Sequence, residues 1–235
     1  YGEELQAMRD TLDAAAKAGI DAVIASDMAA ITYARSIGLE VHISTQLSIS
    51  NAESLRFYAQ WADVIVLARE LTLKQVREIK DTIIRANIYG PSGRQVQIEM
   101  FAHGAFCMAV SGKCYLSLHT YGASANRGSC FQVCRRSYEV RDRDTGNELL
   151  IDNKYIMSPK DLCTIEFMDA IIAAGVTVFK IEGRARSSEY VRKAASCYRR
   201  AADAVCEGNY TPELAAGLKE ELAEVFNRGF WDGYY

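Results

Sequence analysis

The sequence predicts an α/β fold: a partial TIM-like (β/α) barrel with a cysteine-rich insertion and a β-hairpin. Short apolar runs alternate with amphipathic stretches at a period of about 20–25 residues, the pattern of parallel strands joined by helical crossovers. Polar residues gather on one strand parity near the C-terminal ends, namely His42, Ser44 and Gln46, then Glu99, then Lys180 and Glu182. A barrel collects its chemistry at that end. Five strands of parallel type are legible, fewer than the eight that close such a barrel. The first strands are therefore expected before Tyr1, and a chain that starts on Tyr reads as a segment of a longer one.

The elements follow in order. Residues 3–18 form an amphipathic helix with Leu5, Met8, Leu12 and Ala16 on one stripe. Gly19 ends it before a buried strand at 21–26. A helix over 28–37, closed by Gly38, leads to a strand at 40–45, and a helix over 51–61 leads to a strand at 63–68. A third helix at 71–84 and a turn at 89–93 precede the strand 95–101. Residues 102–136, rich in Gly, Ser, Cys and Arg, carry little helical or strand period. Two short runs around DTGN form a hairpin over 137–152. A helix is expected from about 159 to 174, with Ser158 as N-cap and Pro159 at its first position. Then come a buried strand (175–184), a long helix (187–208) and a last helix (211–229) opened by Thr211 and Pro212. The predicted domains are 1–208, an incomplete barrel with a cysteine-rich region at 102–163, and 209–235, a helix with an aromatic tail.

Composition narrows the class. Nearly half of the 235 residues are hydrophobic, enough for a sizeable core. A net charge of -3 does not advertise nucleic-acid binding, although a local basic patch can bind RNA on an acidic protein. No apolar run reaches the ~18–20 residues of a membrane span, and the N-terminal residues lack the pattern of a secretory signal. An odd number of cysteines, seven, fits a cytoplasmic, reduced protein better than a disulfide scaffold.

Four cysteines, Cys107, Cys114, Cys130 and Cys134, fall in the irregular stretch, and Cys163 follows. Thiolates converge in this way for disulfides, zinc or an iron–sulfur cluster. Zinc modules favour tighter knuckles than these spacings, whereas a cluster draws thiolates from separated loops. Cys197 and Cys206 lie in an Ala-rich helical pattern and read as core fillers.

The run EMFAHGAFCMAVSGKCYLS, from Glu99 to Ser117, resembles the signature of the U32, or collagenase-like, peptidase family. NRGSC with the following CRRSY, then KDLC and FKIEGR, resemble its later blocks, and STQLSISN fits it as well. The resemblance implies a barrel-like domain. It also implies one of two activities: a peptidase, or a hydroxylation factor acting on tRNA wobble uridine, on a ribosomal RNA cytidine or in oxygen-independent ubiquinone synthesis. In those factors it implies a [4Fe–4S] cluster, with ligands that match Cys107, Cys114, Cys130 and Cys163, and Cys134 as the alternative. The ending FNRGFWDGYY is most like the tRNA-hydroxylating TrhP branch, which implies tRNA as partner and prephenate as co-substrate. A homo- or hetero-oligomer, including a non-catalytic partner subunit, is also compatible.

His103 suits acid/base work, with Glu99 to hold substrate or orient it; the structural alternatives are a loop-ordering histidine and a buried ion pair. Lys180 and Glu182 share a strand face and join the catalytic set. Arg184 and Arg186 follow that strand and, with Arg127 and Gln46, are the substrate-binding candidates. An arginine pairs a carboxylate in bidentate fashion. Neither G-x-S-x-G nor H-E-x-x-H occurs, which speaks against the commonest peptidase chemistries.

Overall fold

The computed structural model describes residues 1–151 and 160–235. The chain forms two compact units. One comprises Tyr1–Met100, Ala170–Lys180 and Tyr234–Tyr235; the other comprises Phe101–Asp169 and Ile181–Gly233.

The first unit is a βα frame. A 3-10 turn leads into α1 (Leu5–Lys17), followed by β1 (Ala22–Ala25), α2 (Met28–Ser36), β2 (Glu40–Ile43), α3 (Ala52–Ala59), β3 (Val64–Val66) and α4 (Leu73–Arg85). The helices start where short polar side chains cap them. Asp27, Asn51 and Thr72 each accept from a backbone N–H of the first turn, and Thr72 with Gln75 forms a capping box. Strands β1 to β3 and the start of β4 (Gln97–Ala105) pair in parallel in that order. Ile31, Ile43, Leu55, Ile65, Ile83 and Ile98 are fully buried between sheet and helices.

Along the chain, α5 (Leu116–Tyr121), β5 (Tyr138–Arg141), β6 (Glu148–Ile151), β7 (Asp161–Cys163), α6 (Met168–Ala173) and β8 (Val176–Glu182) follow β4, then α7 (Ser188–Glu207), α8 (Pro212–Ala223) and β9 (Phe230–Trp231). β8 pairs with β4. In the second unit the far end of β4 pairs antiparallel with β7, His103 opposite Cys163, and β7 pairs in parallel with β9. β5 and β6 make the expected hairpin, whose position 152 lies outside the described residues. Leu162, Ile165, Met168, Tyr190 and Leu222 are the inner residues here.

The α/β class with a mostly parallel sheet holds, and several local expectations change. The strand expected to stop at Phe101 runs to Ala105. The helix expected from 159 begins at Met168, because Asp161–Cys163 is a strand with all three residues buried; its proposed caps, Ser158 and Pro159, lie outside the described residues. β1 is not fully buried, since among the described residues it pairs with β2 alone and Ile24 is 51% exposed. Leu12 is the one buried residue of α1. Cys197 is a core filler, whereas Cys206 is exposed.

Candidate functional site

In the first unit, three strands place three polar side chains together. Glu99 on β4 is buried, and its carboxylate stands between His42 on β2 and Lys180 on β8. His42 Nδ1 lies 2.8 Å from Oε2, and Lys180 Nζ lies 3.6 Å from Oε1. A carboxylate this deeply buried stays in place only if its oxygens are paired; here each oxygen has a partner. Gln46, just past β2, accepts a hydrogen bond from the Ser26 hydroxyl at 2.8 Å. His42 was not singled out as a site residue, although it shares the strand parity that marks Glu99 and Lys180.

In the second unit, Cys107, Cys114 and Cys134 are half-buried and Cys130 is exposed. Burial pushes the Cys134 thiol up; Arg135 opposes this, and Cys107, Cys130 and Cys114 add to it. The Cys107, Cys130 and Cys114 sulfurs therefore each lie within electrostatic reach of Cys134. Cys163 is buried on β7, and burial raises its thiol too, with Tyr198 Oη 3.8 Å from its sulfur. Among the described residues, no three His, Cys, Asp or Glu side chains are gathered closely enough to hold a metal ion as they stand. The donors nevertheless suit a thiolate-bound cluster in number and kind.

His103 is 1% exposed and boxed in by Tyr198, Tyr190 and Phe230, with ring centroids 5.4–5.7 Å away. Burial, then Arg186, pulls its pKa down to about 4, so the ring is neutral. Tyr198 Oη accepts from the Thr164 N–H at 2.9 Å and donates to the Ala102 carbonyl at 2.8 Å. Its one proton is thus committed, and His103 Nδ1, 3.4 Å away, is the donor toward it. Nε2 is left with a lone pair and has no hydrogen-bond partner among the described residues. Gly104, at φ +111, lies against the Glu182 carbonyl where a Cβ would collide.

The predicted anion-binding residues take different places. Arg186 donates to buried Asp161 at 2.8 Å and stacks over Phe226 and Tyr190. Arg228 lies 3.2 Å from the other Asp161 oxygen. Arg184 and Arg127 are exposed, and Glu182 accepts from the Arg184 backbone N–H. Glu99 and Lys180 belong to the first unit, His103 and Glu182 to the second. Asp161, Arg228, Tyr190 and Tyr198 were not anticipated; of the aromatic tail, Phe230 packs by His103 and Trp231 edge-on to Phe106, whereas Phe226 and Tyr234 are exposed.

The fold and the site define a mostly parallel α/β protein with a thiol-rich segment after β4. All of residues 1–235 match Peptidase family U32, and the chain belongs to that family. It is 63% identical to a collagenase of Porphyromonas gingivalis strain W83, over the whole chain and 57% of that protein. It is 55% identical to another Porphyromonas gingivalis collagenase, over the whole chain and 64% of that protein. It is 35% identical to tRNA hydroxylation protein P1 of Bacillus subtilis, over 97% of this chain and 53% of that one. The chain thus spans roughly half to two thirds of these relatives. No solved structure matches it. Among the described residues, no helix is long and apolar enough to cross a membrane.

Proposed function

We propose that this chain belongs to an iron–sulfur-dependent RNA-modifying protein that hydroxylates tRNA at the wobble uridine. The observation that carries the reading is the presence of four cysteines, Cys107, Cys114, Cys130 and Cys134, within one short segment that has few buried side chains to order it. Cys107, Cys114 and Cys130 would hold the cluster, with Cys163 or Cys134 as the fourth ligand. Bound there, a cluster supplies single-electron chemistry and ties separated loops together. The chain's own residues supply position: Tyr198 and His103 lock β4 against β7, and Asp161 anchors Arg186 and Arg228. Exposed Arg184, just past β8, is the cation assigned to a dicarboxylate co-substrate such as prephenate. The parallel strands are read as staves of a (β/α) barrel, which puts Glu99 and Lys180 at the catalytic end. The relative named for tRNA hydroxylation supports this reading at lower identity than the collagenases.

The collagenase names favour a second reading, a peptidase. Against it, Cys163 and His103 are each at most 2% exposed, out of reach of a peptide. The deciding experiment purifies the full-length protein anaerobically, measures iron and sulfide, and analyses nucleosides of tRNA from cells lacking it. Bound iron and lost hydroxyuridine are expected. Unchanged tRNA, with collagen peptide cleaved by metal-free protein, would favour the peptidase.

A further inference from the structure

Residues 102–138 contain no aspartate or glutamate, yet hold Lys113, Arg127, Arg135 and Arg136, in a chain of net charge -3. The same segment leaves large aromatic side chains in the open: Tyr115 is 78% exposed, Phe131 56% and Tyr121 46%. Two of these are organised. The Tyr121 and Phe131 rings lie 5.2 Å apart, tilted by 41°. The Arg136 guanidinium sits 5.2 Å over the Tyr121 ring. The rings are held outward by the backbone on each side. Tyr121 closes α5 just before Gly122, which takes the left-handed conformation at φ +65. The Phe131 N–H donates to the buried Ser117 hydroxyl at 3.0 Å. Val133 is buried, and its carbonyl accepts from Tyr138 Oη at 2.5 Å.

Exposed aromatic faces flanked by arginine, in a purely cationic segment, have the composition that binds unpaired bases. Every base stacks through its π face, and arginine adds a cation–π contact and a phosphate partner. Duplex RNA hides those base faces, so the fit is to single-stranded RNA. We propose that Tyr121, Phe131 and Arg136 form a stacking platform for the unpaired bases of an RNA loop. This rests on the RNA-modifying reading and names the surface that would present the loop. Charge selects this occupant over a peptide, because a segment with no carboxylate attracts a polyanion.

The test uses the full-length holoprotein and two labelled probes, a single-stranded oligoribonucleotide and a duplex of equal length, followed by fluorescence anisotropy. The single strand should bind more tightly. Tyr121→Ala and Phe131→Ala should each weaken it by roughly ten- to a hundredfold, with iron content unchanged. Phe131→Trp should preserve binding, and Arg136→Gln should flatten the slope of log affinity against log salt by about 0.7. Three results would overturn the platform: equal affinity of Phe131→Ala and the native protein, a preference for duplex, or tighter binding of a collagen peptide than of RNA. Hydroxyl-radical labelling covers the remaining case. Tyr121 and Phe131 should become protected only when RNA is added; protection in the RNA-free protein would mean that another part of the longer chain covers them, and the platform fails. Platform-independent RNA binding with intact tRNA hydroxylation removes the platform and spares the RNA-modifying function. Platform-dependent binding with unchanged tRNA in the deletion cells does the reverse.

Discussion

Residues 1–100 and residues 105–138 reach order by different means. The first stretch buries a continuous set of aliphatic side chains, Ile31 through Ile98, and its helices are capped by their own polar residues. The second buries three side chains, Ser111, Ser117 and Val133, and its regular structure is one six-residue helix and 3-10 turns. Ordering such a loop costs backbone entropy, and two serines and a valine bury little apolar surface against it; the proposed thiolate-bound cluster would add binding free energy to folding. The comparison teaches that the frame folds on hydrophobic burial, while the loop buries little, so that the proposed cluster would be its main source of order.

The largest effect should come from breaking that source. On the proposed cluster reading, Cys107→Ala or Cys114→Ala, or treatment with a chelator, should remove the iron. Limited proteolysis should then cut within 105–138 and leave 1–100 intact. Equal cleavage of metal-loaded and metal-free protein would end the contrast between the two stretches. Cys134→Ser and Cys163→Ser measured side by side assign the fourth thiol: the one that loses iron is the ligand.

The next effect lies at the second unit's charged centre. Asp161 is fully buried and faces two arginines. Asp161→Ala leaves both cations without it, and breaking such a pair costs about 3–5 kcal/mol. Urea unfolding should show it. A loss under about 1 kcal/mol, the range of surface pairs, would mean the centre is not desolvated as it stands.

How much of this was legible follows from the distance over which each residue acts. His42, Glu99 and Lys180 sit on the expected face because strand parity is a local property. The thiols were legible as a group because cysteine chemistry does not depend on knowing the fold. Asp161 was hidden in a stretch where Leu162, Cys163 and Ile165 mimic a helical stripe; the strand state of Asp161–Cys163 depends on pairing with residues 103–105, and Ile165 opens a 3-10 turn. Gly104 fell in the stretch with little helical or strand period, whereas it is the point where β4 passes the Glu182 carbonyl. Tyr198, in an Ala- and Arg-rich helix, carries no local mark, and its carbonyl partner Ala102 is 96 residues away in sequence.

His103 gives a pH-dependent version of the comparison. Its pKa falls from an ordinary 6.5 to about 4, through burial first and Arg186 second. Between those values the unfolded chain takes up a proton that the folded chain refuses. The stabilisation from a neutral His103 is therefore full above pH 6.5, declines as the pH drops, and is gone below about 4. The gap corresponds to roughly 3 kcal/mol. Unfolding free energies measured across that window should fall more steeply for the native protein than for His103→Phe. Parallel curves would mean that the ring is solvated in solution.

The smallest effect should come from the other carboxylate. Glu99 is nearly as buried as Asp161, with side-chain exposures of 4% and 1%. Its partner His42 is better hydrated than Arg186, at 20% against 11% exposed, while Lys180 and Arg228 are alike at 18% and 17%. Glu99→Gln keeps an oxygen that can accept from one partner, and Lys180 can turn its ammonium to water. A net loss of about 1–2 kcal/mol is expected, the range of one charge-assisted hydrogen bond. Lys180→Met in the Glu99→Gln background should cost little more, since the charge it met has gone. If the two losses simply add, Lys180 is held by something other than Glu99. A loss from Glu99→Gln equal to that of Asp161→Ala would make this network as strong a support for the βα frame as Asp161 is for the second unit.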